Sequence, residues 1–117
     1  VMRENPDTGE TYEVPYEKYF TIDRTRDLIK MHSFLLDKPV FYQHDLVSGT
    51  HMFDYQFDLI ICRNVLIYFN NNLQNKVFDL FHKSLITVGS LIIGVHESIL
   101  GPMTSRFNKT GQIYQKK

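Results

Sequence analysis

The sequence predicts an α/β fold with a mostly parallel sheet and flanking helices, and three features carry that prediction. Phe57-Asp58-Leu59-Ile60-Ile61-Cys62 is a nearly continuous apolar run, which suits a strand covered on both faces. Leu73, Val77, Phe78, Phe81 and Leu85 then recur at helical spacing. Ser90-Leu91-Ile92-Ile93-Gly94-Val95 supplies a second buried strand, so strand, helix and strand follow one another as in a βαβ crossover.

The elements around this unit follow from local chemistry. Asn5-Pro6-Asp7-Thr8-Gly9 combines a proline of fixed φ with a glycine suited to positive φ, which predicts a turn before a short edge strand over Thr11, Tyr12, Glu13 and Val14. Asp23 is expected to cap a helix whose apolar side is Leu28, Ile29, Met31, Leu35 and Leu36, with Pro39 as its stop. Val40-Phe41-Tyr42 reads as a short strand leading into His44-Asp45-Leu46, followed by a loop through Ser48, Gly49 and Thr50. Asn71 is expected to cap the second helix with Gln74 as its capping-box partner, and Gly89 to close it. A last strand is expected over Gln112, Ile113, Tyr114 and Gln115, after the Gly101-Pro102 break.

Composition narrows the function classes. A chain of 117 residues that is 43% apolar supports one domain with a core, not two. Its 13 basic and 13 acidic residues cancel and are mixed along the chain, so no broad field steers it to nucleic acid or anionic lipid. Arg106, Lys109, Lys116 and Lys117 make a basic tail that reads as a solvated end. Cys62 is the single cysteine, which excludes an intramolecular disulfide and a thiolate metal cluster. His32, His44, His51, His82 and His96 lack the spacing that sets two imidazoles on one helical face, so no metal site is expected. No apolar run reaches the roughly 18 residues of a membrane span, and a soluble, cytoplasmic protein without membrane insertion is expected.

In open α/β sheets ligands bind beyond the carboxyl ends of strands, which directs attention to the polar residues after each apolar run. Asp45 and Leu46 follow the first strand, and Arg63-Asn64 follows the second. An Arg-Asn pair interrupting an apolar stretch is costly to bury alone; it either meets a ligand or a hydrogen-bond network, or caps its own strand end. Cys62 reads as a small core residue. His96 and Glu97 follow the last buried strand, where a structural role is favoured over a pocket lining.

The run from Phe57 through Arg63-Asn64 to Val65-Leu66-Ile67-Tyr68-Phe69 resembles the signature of CheR-type chemotaxis receptor methyltransferases. Phe41-Tyr42-Gln43-His44-Asp45-Leu46 is similar to that family's F-x-x-H-N/D-L stretch, and Gly94 through Glu97 resembles its G-H-S-E turn, with Val95 and His96 where His and Ser are usual. The resemblance runs from about Tyr19 to Tyr114. It implies a partial Rossmann-like class I methyltransferase fold, in which residues 1–117 are the C-terminal portion of one domain. Residues 1–20 are then a turn and edge-strand segment, and 21–117 the α/β core.

The resemblance further implies an S-adenosylmethionine-dependent enzyme that methyl-esterifies glutamate side chains in the cytoplasmic region of methyl-accepting chemotaxis receptors, releasing S-adenosylhomocysteine. Asp45 and Leu46 would contact the adenosine side of the cofactor, and Arg63 and Asn64 its methionine side. Tyr68 would lie near the sulfonium and the incoming substrate, so Arg63 and Tyr68 are the implied catalytic pair, as positioning and electrostatic groups. A glutamate is already ionised at neutral pH, and no acid or base is required. The alternative reading is a non-catalytic binding or regulatory module that kept the fold; a third keeps the cofactor and changes the acceptor.

The same resemblance implies parts that the sequence lacks. Gly9, Gly49, Gly89, Gly94, Gly101 and Gly111 lie far apart, and none forms the glycine-rich loop expected after a first strand. The first strands and the family's N-terminal helical domain are likewise expected to be missing. Exposed sheet edges are then expected to pair with another chain or to mark the remnant of a longer one, and the isolated 1–117 polypeptide to bind S-adenosylmethionine weakly or not at all.

Overall fold

The computed structural model describes residues 2–13, 15–51 and 53–117. The chain divides into two compact units, Val1–Tyr42 and Gln43–Lys117.

The first unit is built from hairpins. Strands β1 (Met2–Glu4) and β2 (Thr11–Glu13) pair antiparallel in the register Met2↔Glu13 and Glu4↔Thr11. The turn expected between them forms: Gly9 N–H donates to the Asn5 carbonyl, the Asn5 side chain accepts from Asp7 N–H, and Gly9 takes φ 71°. Of the predicted strand, Val14 lies outside the described residues. The helix predicted after Asp23 is not there. Strands β3 (Phe20–Asp23) and β4 (Leu28–Met31) form a second antiparallel hairpin, and only α1 (Ser33–Leu36), a single turn, is helical.

The reason lies in Asp23, whose Oδ1 accepts from the backbone N–H of Thr25 and Arg26 and from the Thr25 hydroxyl. These bonds hold the Asp23 carboxyl below its ordinary value, with the Thr25 hydroxyl the largest cause. An Asp that satisfies N–H groups two and three residues ahead stabilises a turn as readily as a helix start. Asp27, at φ 54°, completes the reversal. The apolar spacing from Leu28 onward was ambiguous because Leu28 and Ile29 remain 57% and 69% exposed, so no buried face enforced the helical period. The strand expected at Val40-Phe41-Tyr42 is also absent; the segment is irregular and Phe41 is exposed.

The second unit contains the predicted crossover. Strand β5 (Phe57–Cys62) leads through a 3₁₀ turn (Leu66–Tyr68) into α2 (Asn71–Ser84), which returns the chain to β6 (Leu85–Ile93). β5 and β6 are parallel, with Ile60↔Leu91 and Cys62↔Ile93 opposite each other. After a 3₁₀ segment (Gly101–Arg106), β7 (Phe107–Thr110) and β8 (Ile113–Lys116) form a hairpin turned at Gly111. The strand order is β5-β6-β8-β7. With β8 antiparallel to both β6 and β7, the sheet is mixed rather than mostly parallel. β7 was not legible in the sequence, because Phe107 is its single buried side chain.

One face of α2 supplies the core. Val77, Phe78 and Phe81 pack with Leu85, Leu91 and Ile93 of β6, Tyr114 of β8, Phe107 of β7 and Leu66 of the 3₁₀ turn. Full burial of each such side chain stabilises by about 1.5–3 kcal/mol. The helix begins one residue earlier than predicted, because Asn70 is the cap and its side chain accepts from Leu73 N–H at 2.9 Å. It also ends earlier, at Ser84, and Gly89 lies inside β6.

Gly89 serves close backbone approach instead. A Cβ there would stand 2.8 Å from the Ile86 carbonyl oxygen and 3.2 Å from that of Phe57. The β5–β6 register shifts here, since Phe57 faces Leu85 while Leu59 faces Ser90. The extra β6 residues bulge outward, and Val88 is driven to φ 60°. The covering of β5 also differs from expectation. Ile60 and Cys62 pack on the core, but Ile61 is 63% exposed and shares a cross-sheet row with Ile92 and Ile113.

Two stability predictions follow from this packing. A β-branched residue at positive φ is strained by about 1–3 kcal/mol. Val88→Gly should therefore raise the unfolding free energy measured in urea, by about 1 kcal/mol after the added flexibility of the unfolded chain is subtracted. His82 stands edge-on to Phe107 at 5.4 Å, and burial, then Lys116 and Arg106, lower its pKa from the ordinary 6.5. The folded state then binds fewer protons than the unfolded one near that pH, so this contribution is present above about 6.5 and is lost as pH falls through the depressed value. Unfolding free energies measured from pH 8 to pH 5 should show the advantage of wild type over His82→Asn narrowing as pH falls.

Candidate functional site

The carboxyl ends of the parallel strands β5 and β6 are tied together by one buried side chain. Glu97, 8% exposed, follows β6 in a tight turn in which its N–H donates to the Gly94 carbonyl. Its Oε2 accepts from Gly94 N–H at 2.6 Å and from Asn64 N–H at 3.1 Å, and its Oε1 accepts from Ile67 N–H at 3.2 Å. A carboxylate buried without a cation is costly, and three converging donors offset that cost. Asn64 accordingly sits at φ 61°, a left-handed conformation that Asn tolerates better than most residues.

Gln74, from the first turns of α2, meets the same loop from the opposite chemical side. Its Nε2 donates to the Leu66 carbonyl at 2.8 Å and to the Phe69 carbonyl at 3.1 Å. The capping-box partnership expected of Gln74 is replaced by this contact. In the loop after β5 the Asn64 and Ile67 N–H groups are thus taken up by Glu97 and the Leu66 and Phe69 carbonyls by Gln74. Held in this way, it presents Arg63, Asn64 and Tyr68 at the surface, with Tyr68 81% exposed.

Asp45 and Leu46 lie in a different local structure. Asp45 caps a 3₁₀ turn (Leu46–Ser48), its Oδ1 accepting from Val47 N–H at 3.0 Å, and Gly49 closes the turn at φ 68°. Leu46 packs against the core and lines an apolar cavity of about 270 Å³ with His44, Phe57, Ile60, Leu80 and Phe81. A second depression of about 310 Å³ lies between the Leu66–Tyr68 turn and the Gly94–Leu100 segment, with Ile67, Gln74, His96 and Glu97 on its walls. Arg63, Asn64 and Tyr68 line neither. The structure therefore brings Arg63, Asn64 and Tyr68 together on one loop and sets Asp45 and Leu46 on another.

Two other sequence readings concern this region. Burial pushes the Cys62 thiol up from its ordinary value, and the Glu97 carboxylate adds to the effect, which suits a core thiol rather than a nucleophile. Among the described residues no group of three His, Cys, Asp or Glu side chains is arranged to hold a metal, and no helix is long and apolar enough to cross a membrane.

Residues 10–115 match the sequence family described as CheR methyltransferase, SAM binding domain. The chain belongs to that family. Among curated relatives, Cher3 of Pseudomonas putida is 44% identical over 69 residues, 59% of this chain and 24% of that protein. A chemotaxis protein methyltransferase of Listeria monocytogenes is 45% identical over 62 residues, 53% of this chain and 23% of that protein. Chemotaxis protein methyltransferase 1 of Vibrio cholerae is 41% identical over 66 residues, again 53% of this chain and 24% of that protein. The matched part of this CheR-family chain thus spans about a quarter of the length of these relatives.

Sequence reasoning found the loop but missed what holds it. Glu97 was legible as part of a G-x-x-E turn, yet its partners Asn64 and Ile67 lie 33 and 30 residues away. Gly94 is the one local signal, because a Cβ there would come within 2.6 Å of Asn64 Oδ1 and 2.7 Å of Glu97 Oε2. Glu97 is buried and held by three bonds, so it has little freedom to withdraw. Gly94→Ala should lower stability by about 1–3 kcal/mol in urea unfolding, as overpacking does elsewhere.

Proposed function

We propose that this chain is part of an S-adenosylmethionine-dependent methyltransferase that esterifies glutamate side chains in the cytoplasmic region of chemotaxis receptors. The observation that carries this reading is the Arg63–Phe69 loop at the carboxyl end of parallel strand β5, the position where α/β sheets bind ligands. Membership of the CheR family and similarity to relatives such as the chemotaxis protein methyltransferase of Listeria monocytogenes support the same reading.

The residues on the loop suit the cofactor. Arg63 offers a forked donor for the carboxylate of its methionine end, and Asn64 an amide for the neighbouring polar groups. The exposed face of Tyr68 can attract a sulfonium, as aromatic rings attract other cations. Asp45 and Leu46 are assigned to its adenosine side. When bound, the cofactor supplies an electrophilic methyl group. The protein's own task is to align and desolvate an acceptor that is already ionised, which explains why no histidine or cysteine base is needed. Arg63 and Tyr68 act there as positioning and electrostatic groups.

Transfer of tritium from labelled S-adenosylmethionine to a receptor cytoplasmic fragment, by the full-length chain, tests the proposal. Label should be released as volatile methanol by mild alkali, as an ester requires. Tyr68→Leu, which removes the aromatic face, or Arg63→Ala should lower the rate by about tenfold or more, the scale expected for one electrostatic contact in a transition state. Alkali-stable label would instead point to another acceptor group. Cofactor binding without transfer to any acceptor would favour a regulatory module.

A further inference from the structure

Glu97 has no part in the chemistry proposed above, yet it is the one carboxylate among the described residues that is buried, and its charge has no cation beside it. Both of its oxygens accept from backbone N–H groups, so the carboxylate is already committed to the loop and the turn. A side chain needed only for packing would be apolar, since burying a carboxylate carries a desolvation penalty that hydrophobic groups of similar size avoid. What the carboxylate does, and an apolar side chain cannot, is gather the N–H groups of Asn64, Ile67 and Gly94 to one point. Gln74 completes the arrangement from the carbonyl side, at Leu66 and Phe69.

We infer that Glu97 is a positioning residue of the candidate methyltransferase site. Its carboxylate holds Asn64 in the left-handed conformation and, together with the Gln74 amide, sets the turn that presents Arg63, Asn64 and Tyr68. This rests on the functional reading above for the role of those three residues, but the loop geometry stands independently of it. In isolation the loop would have to meet both demands unaided: a left-handed non-glycine residue and a 3₁₀ turn immediately after it. The two clamping side chains select that conformation before any ligand arrives, which is the kind of preorganisation that lowers the cost of binding.

Glu97→Gln in the full-length chain tests the inference. The amide keeps the shape but replaces one oxygen by a donor, so whichever way it turns a donor faces a donor. Amide hydrogen exchange at Asn64, Ile67 and Gly94 should accelerate by about tenfold or more, while Leu91 and Tyr114 in the sheet change little. S-adenosylhomocysteine affinity, measured by calorimetry where both proteins are fully folded, should fall by about tenfold. Gln74→Leu, which releases the Leu66 and Phe69 carbonyls from the other side of the loop, should weaken affinity by about threefold and decides the matter if Glu97→Gln does not fold.

Unchanged affinity in a folded variant would overturn the positioning role. Unchanged exchange at the three amides would overturn the clamp itself. Failure of wild type to bind S-adenosylhomocysteine would instead sink the functional reading, leaving the exchange pattern to judge the loop.

Discussion

The burial of one face of α2 is the constraint on which the rest of the second unit depends. Phe78 and Val77 are almost completely buried, and the side chains that enclose them come from β6, β8, β7 and the Leu66–Tyr68 turn. Because these partners are spread from Leu66 to Tyr114, removing the helix face would leave the two strand ends and the loop after β5 without a common support. The parallel pairing of β5 and β6 is a consequence: a helix packed on their shared face is what allows both strands to run the same way.

The loop after β5 is built on that support by polar rather than apolar contacts. Carboxylate and amide divide its backbone groups between them, Glu97 taking N–H and Gln74 supplying N–H to carbonyls. This division satisfies groups that would otherwise be costly at a half-buried strand end. It also leaves Arg63, Asn64 and Tyr68 exposed on the loop, which is the condition a binding loop must meet. The core side of the same strand is closed in a different way, with Cys62 and Ile60 packed against apolar neighbours.

The family relation and the geometry address different questions. The match over residues 10–115 says what kind of domain these residues belong to. The hydrogen bonds to Glu97 say why the signature residues of that family can occupy the conformation seen here. Of Arg63-Asn64, which by itself read equally as a ligand-binding pair or a capped strand end, the Asn64 backbone N–H joins the clamp and both residues remain exposed.

The sequence by itself determined the βαβ unit, because an apolar run and a helical stripe leave no second way to bury Ile60, Cys62, Val77, Phe78, Phe81 and Leu91 together. It also determined the family and the loop that carries Arg63, Asn64 and Tyr68, since those residues are contiguous. Local pattern failed where burial did not enforce a period. Asp23 became the hinge of a hairpin instead of a helix cap, and Val40-Phe41-Tyr42 found no ladder. Tertiary structure alone decided that β8 runs antiparallel to β6, that Gly89 lies in a bulge, and that Glu97 reaches Asn64 and Ile67. Each of these depends on residues far apart in the chain meeting at one place, and spacing along a sequence carries no information about such meetings until the core has formed.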